Sequence, residues 1–155
     1  MAKIPDDMQE MRIAYESKVP REGTCAPTII AYLTEKTVKE IIDNWTIPYR
    51  GYSSLRELQK NIEKYHFKTD RVKSTEKKKF MLPNEISLAI ARIRWSGKYS
   101  NWDIEEKNTH FVLLDKRLGS LVLFDNTVGI FQPDSPTAKK YMNEGKITSF
   151  LTINE

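Results

Sequence analysis

A single cysteine, Cys25, stands among 155 residues, so no disulfide can form within the chain. Apolar runs are short. None approaches the roughly 18 residues that a membrane-spanning helix needs. The opening stretch MAKIPDDMQEMRIAYE lacks the apolar h-region of a secretory signal. With one thiol and no export signal, the expected setting is a reducing cytoplasm. Glycine-rich phosphate loops of the GxxxxGK kind and dinucleotide fingerprints are missing, so no nucleotide cofactor is expected. Two histidines and one cysteine, set far apart, give no zinc-ligand spacing, and no metal is expected.

What is present suits a globular domain. Hydrophobic residues make up 39% and charged residues 30%, a balance that allows a packed core. With no internal repeats and no low-complexity linker, residues 1–155 read as one domain. Net charge is +4, and much of it lies in KNIEKYHFKTDRVKSTEKKKF, residues 60–80. That segment is a candidate contact for an acidic partner. No zinc-finger, recognition-helix or RNA-binding signature stands beside it, so nucleic acid is not an expected partner.

Periodicity changes along the chain. Met8, Met11, Ala14 and Tyr15 have helical spacing over 6–17. CAPTIIAYL reads as a helix that Thr24 can N-cap, with Pro27 in the first turn, where its missing N–H is tolerated. Thr37 with Glu40, and Ser54 with Glu57, are capping boxes opening two more helices. The first of these ends near Trp45. HFKTDRV reads as a strand and Lys73 to Lys79 as a loop. MLPNEISLAIARIRW is open between a helical turn capped by Asn84 and a strand over AIARIRW. THFVLL and SLVLF flank a charged, glycine-containing turn and predict a hairpin; VGIFQP and ITSFLTI add strands around SPTAKKYMNEG, a polar or helical insert. Helices first and strands last predict an α+β fold with a mainly antiparallel sheet.

Three residues of this layout carry chemistry together. Cys25 opens a helix, where the positive end of the macrodipole and unpaired N–H groups lower a thiol pKa. A thiolate needs a proton partner, usually His, and that His needs an oxygen acceptor. With Lys116 paired to Gly119 in the predicted turn, His110 falls opposite Asp125, within cross-strand reach. A one-residue change of register favours Asn126 instead. His66 reads as a surface or structural residue. Trp45, Trp95 and Trp102 read as core or cleft-lining residues. The loops SGKYSNWDIEEKN and PYRGYSS are candidates for substrate contact.

GTCAPTIIAYL resembles the nucleophile segment of papain-like cysteine peptidases, in pattern closest to the bacteriocin-processing type, where Cys-Gly-Pro starts the central helix. THFVLLDKRLGSLVLFDN resembles that family's second segment, a His opening one strand and an Asp closing the next. Together they cover about 30 of the 155 residues. The resemblance implies an N-terminal helical half whose nucleophile helix packs on a C-terminal antiparallel sheet. It implies a cysteine hydrolase, a peptidase or isopeptidase acting on a peptide or protein through an acyl-thioester. Cys25 would be its nucleophile, His110 its base and then acid, and Asp125 the orienting residue. Here Ala26 stands where the family has Gly. The family also places a Gln several residues before the Cys to donate to the oxyanion, and SKVPREGT has none. Gln9, Arg21 and Thr24 are the alternatives to it, beside the Cys25 N–H. A catalytically idle binding module or inhibitor, or an acyltransferase or transglutaminase with the same triad, would share these segments.

Overall fold

The computed structural model describes residues 24–77, 79–96 and 108–154. The segment 6–17, with Gln9, Arg21 and the Trp102 loop, lies outside them. Three helices come first: α1 (Cys25–Thr34), α2 (Val38–Asp43) and α3 (Leu55–Glu63). Strands β1 (Lys68–Lys77), β2 (Leu88–Trp95), β3 (Thr109–Asp115), β4 (Val122–Asp125) and β5 (Gly129–Phe131) follow, then α4 (Pro136–Glu144) and β6 (Gly145–Asn154). The strands form one sheet in the order β1-β6-β2-β3-β4-β5, and every neighbouring pair is antiparallel. This is an α+β fold.

Local chemistry accounts for the helix starts. Thr37 Oγ1 accepts from the Glu40 N–H at 3.1 Å, and Ser54 Oγ from the Glu57 N–H at 3.1 Å. Ser135 caps α4 in the same way through the Ala138 N–H at 3.2 Å, with Pro136 at its first helical position. α1 differs. Thr24 occupies the N-cap, and its carbonyl accepts from the Thr28 N–H at 3.1 Å, but its side chain makes no cap hydrogen bond. Its backbone there is not extended, with φ −116° and ψ 22°, unlike the β-region backbone of the working caps. α1 is buried continuously from Ala26 to Ala31, as expected of a helix apolar on all sides.

The sheet is covered on both faces. Leu88 and Ile90, Phe111 and Leu113, and Phe124 point toward α1–α3, where Ile29, Ile30, Ile41, Leu58 and Ile62 complete one core. Ala91, Ile93, Val112, Leu114 and Leu123 point the other way and pack with Phe131, Ala138 and Met142. The alternation is that of strands buried on both faces. In β6 it switches phase: Arg92 pairs with Ser149 and Ile93 with Ile147, leaving Thr148 as a bulge. Thr148 Oγ1 accepts from Arg92 Nη1 at 3.0 Å.

One open reading is resolved and one expectation changes. The strand reading of AIARIRW holds, as β2, and Asn84 lies in a turn. β1 continues through the expected loop to Lys77, because the ten-residue β6 offers backbone along that length, with a register slip between Lys73 and Lys77. α2 ends at Asp43, near Trp45 as expected.

The hairpin register also moves. Gly119 does donate to the Lys116 carbonyl at 3.1 Å, as the predicted turn requires. Yet the ladder pairs Asp115 with Val122, Leu114 with Leu123 and Leu113 with Phe124. Ser120 and Leu121 therefore belong to the connection. The register slides by two residues, and the even shift keeps every side chain on its expected face. Asp115 holds this longer loop: its Oδ1 accepts from the Arg117 N–H at 3.0 Å and Nε at 3.1 Å.

Candidate active site

The first turn of α1 brings Cys25, half-buried, to one end of the sheet. Helix α1 packs on β3 and β4, which seats that turn beside the start of β3. His110 is the second residue of β3 and alternates with Phe111, so its ring lies on the face that α4 covers. Asp125 closes β4. Extending the observed register puts it opposite Val112, a diagonal neighbour of His110 instead of its direct partner. Diagonal residues on one face stay within reach when a side chain is long or aromatic. His110 Nε2 lies 2.9 Å from Asp125 Oδ2.

Asp125 is wholly buried, and both its oxygens are engaged. Oδ1 accepts from the backbone N–H groups of Thr127 at 3.1 Å and Val128 at 2.8 Å. Oδ2 accepts from the Tyr141 hydroxyl at 2.5 Å, besides facing His110. Burial pushes the Asp125 carboxyl pKa up, but the hydrogen bond and charge of His110, with the Tyr141 hydroxyl and the Val128 N–H, hold it below the ordinary value. Asn126, the alternative third residue, is buried beside it and receives the Thr127 hydroxyl at 3.5 Å. The His110 contact belongs to Asp125.

The His110 ring is 12% exposed. Burial pushes its pKa down. The hydrogen bond with Asp125, and the charges of Asp125 and Cys25, more than reverse this and raise it to about 10. Asp125 is thus the hydrogen-bonding partner of the ring, and Cys25 a second group whose charge acts on it. Trp95 stacks on that ring at 5.7 Å between centroids and 24° between planes. Tyr141 meets it edge to face at 5.6 Å and 78°.

The structure therefore brings Cys25, His110 and Asp125 together. Trp95 lies at the site. Trp45 does not: it is buried in the α1–α3 core and donates through Nε1 to Glu57 at 2.6 Å. In the PYRGYSS loop, Arg50 reaches Glu57 at 2.7 Å and covers the Tyr52 ring at 4.5 Å. Tyr141 is absent from the sequence reading. Its signal was present: Ser135-Pro136 starts a helix, and Ala138, Tyr141 and Met142 share one helical face. Among the described residues, no group of three or more His, Cys, Asp or Glu has metal-holding geometry. No helix among them is long and apolar enough to cross a membrane. No family model matches the chain, and no curated protein matches it.

Proposed function

We propose that the protein is a papain-like cysteine hydrolase, a peptidase or isopeptidase, with Cys25 as nucleophile, His110 as general base and acid, and Asp125 as the orienting residue. The observation that carries the reading is that His110 Nε2 lies 2.9 Å from Asp125 Oδ2, with Cys25 close enough for its charge to act on the same ring. Nucleophile, base and orienter in that order form the arrangement acyl transfer requires. The sequence resemblance supports the same assignment.

The steps follow from these groups. The Cys25 thiol gives its proton to the ring nitrogen of His110 facing it, and the sulfur attacks the substrate carbonyl carbon. The carbonyl electron pair moves to oxygen, and the backbone N–H of Cys25, at the start of α1, is one donor to that oxyanion. Collapse of the tetrahedral species breaks the C–N bond. His110 gives its proton to the departing amine, leaving a thioester on Cys25. Water then attacks the thioester while His110 takes its proton; the acid departs, and the proton returns to sulfur. Asp125 stays ionised throughout and holds the ring and its charge. An acyltransferase or transglutaminase would differ only in replacing that water by an amine.

Intact-mass labelling by iodoacetamide tests this without a known substrate, because Cys25 is the chain's one thiol. Rapid labelling well below the ordinary thiol pKa of about 8.5, lost in His110→Ala, is the expected result. A labelling curve centred near that ordinary value and unchanged by His110→Ala would sink the proposal. A Cys25→Ser chain that retains turnover of a peptide library would do the same.

A further inference from the structure

Two donors converge on one oxygen at this site. Asp125 Oδ2 lies 2.9 Å from His110 Nε2 and accepts the Tyr141 hydroxyl at 2.5 Å. With the Thr127 and Val128 N–H groups on Oδ1, the carboxylate is held by four donors and its plane is set. Tyr141 acts on the imidazole a second time through its own ring, edge-on at 5.6 Å. Trp95 forms the adjacent wall, and the two aromatic rings also touch each other, at 5.5 Å and 73°. The stacked Trp95 ring favours a positive charge near its face, and the two rings together leave the imidazole little room to turn.

We infer that Tyr141, carried by α4, is a positioning residue of the active site: through Asp125 Oδ2 and its own ring it holds His110 turned toward Cys25. The inference rests on the cysteine-hydrolase reading and deepens it by adding a fourth side chain from an element outside the papain-like segments quoted above. A tyrosine that only anchored α4 would need no particular acceptor. This one uses the oxygen that also holds the base. Among the described residues, the titratable groups in contact with the His110 ring are Cys25 from α1, Asp125 from the end of β4 and Tyr141 from α4. Without the hydroxyl, Oδ2 has His110 as its remaining donor in this set, and that oxygen is held less firmly. The imidazolium then stands less well against the sulfur, and the ion pair forms at a higher pH.

The test compares Cys25 labelling by iodoacetamide across pH in wild type, Tyr141→Phe and His110→Ala, with the His110 Nε2–H proton followed by NMR. In Tyr141→Phe, labelling at pH 6 should fall about 3- to 10-fold, the size of one buried hydrogen bond. At pH 9, where an ordinary thiol is largely ionised, it should stay within about twofold. The Nε2–H resonance should move upfield or broaden. Equal labelling at both pH values with an unmoved resonance overturns the inference while leaving the hydrolase reading intact. A fall of equal size at pH 6 and pH 9, with a lowered Tm, also overturns it, because a merely structural role does that. If wild type and His110→Ala label alike near the ordinary thiol pKa, both fail. Should Tyr141→Phe not fold, 3-fluorotyrosine at position 141 keeps the shape and strengthens the donor. Because it draws on the oxygen that His110 uses, it should move the Nε2–H resonance, and no movement overturns the inference.

Discussion

His110 and Asp125 meet across a diagonal of the β3–β4 hairpin: the ring nitrogen and the carboxylate oxygen are 2.9 Å apart, although the ladder's register, extended by one pair, sets Asp125 opposite Val112. The long reach of an imidazole covers the offset. The ends of the two strands can therefore supply base and orienter while their middles, Leu113 and Leu114 against Phe124 and Leu123, build the two cores.

Replacing Asp125 should separate its two tasks. Asp125→Asn keeps an acceptor oxygen but removes the charge that helps raise His110 to about 10. The His110 titration, followed by ring NMR, should drop toward the ordinary value of about 6.5, and the alkaline limit of turnover should drop with it. Asp125→Ala also strips the acceptor from the Thr127 and Val128 N–H groups and leaves a buried imidazole without its carboxylate. Urea unfolding should then report a loss of about 3–5 kcal/mol. A His110 titration unmoved by Asp125→Asn would refute the assignment.

Stability should depend on pH in a defined direction. His110 titrates near 10 in the folded chain against about 6.5 unfolded. Its contribution is complete below about pH 6.5 and disappears as pH rises through about 10. Asp125 is shifted down, so its contribution is present above about pH 4 and fades as pH falls through its lowered value. The unfolding free energy should be highest between these limits. The gap between wild type and His110→Ala, measured by urea titration, should shrink between about pH 6.5 and 10. A constant gap would contradict the coupling.

Much of this was legible in the sequence because it is local. The capping pairs Thr37/Glu40 and Ser54/Glu57 act as their spacing implies, and the alternation in LAIARIRW matches the two faces of β2. The candidate triad was reachable because parity, unlike register, survives a two-residue slip. The slip itself was not legible: Arg117 folding back on Asp115 lengthens the turn, and nothing in the local pattern demands it. Tyr141 was missed for a related reason. Its helix is readable, but the docking of α4 against β6 and the active-site end of the sheet is a tertiary choice.

Asp115 gives a control at the other end of β3. Its Oδ2 accepts from the Tyr32 hydroxyl at 2.9 Å and from Arg117 at 2.9 Å. Burial and the Asp115 carboxylate together push the Tyr32 hydroxyl up to about 12. Asp115→Ala removes the acceptor from both donors and should lower stability by about 1–3 kcal/mol. The pH dependence of Cys25 labelling should not change, since four residues of β3 separate Asp115 from His110. A shifted labelling curve would mean that the loop and the site are coupled.

Gly145, at the junction of α4 and β6, connects backbone packing to the site. Its backbone is extended, with φ −154°, so its conformation is open to any residue; the constraint is space. A Cβ there would lie 2.6 Å from Ile93 Cγ2, 2.8 Å from Trp95 Cε3 and 3.0 Å from the Arg94 carbonyl oxygen. The last is backbone and cannot move aside cheaply, so the side chains must. Gly145→Ala should cost about 1–3 kcal/mol of stability, as overpacking does. Trp95 should move with it, and Trp95 is the wall stacked on His110. Gly145→Ala should therefore shift the Cys25 labelling midpoint as well as Tm, although residue 145 has no functional group. A Trp95→Phe change, which removes the clashing six-membered ring edge while keeping an aromatic wall, should recover part of the lost stability in the double variant. If Gly145→Ala lowers Tm without moving the labelling midpoint, Trp95 does not help to hold the base.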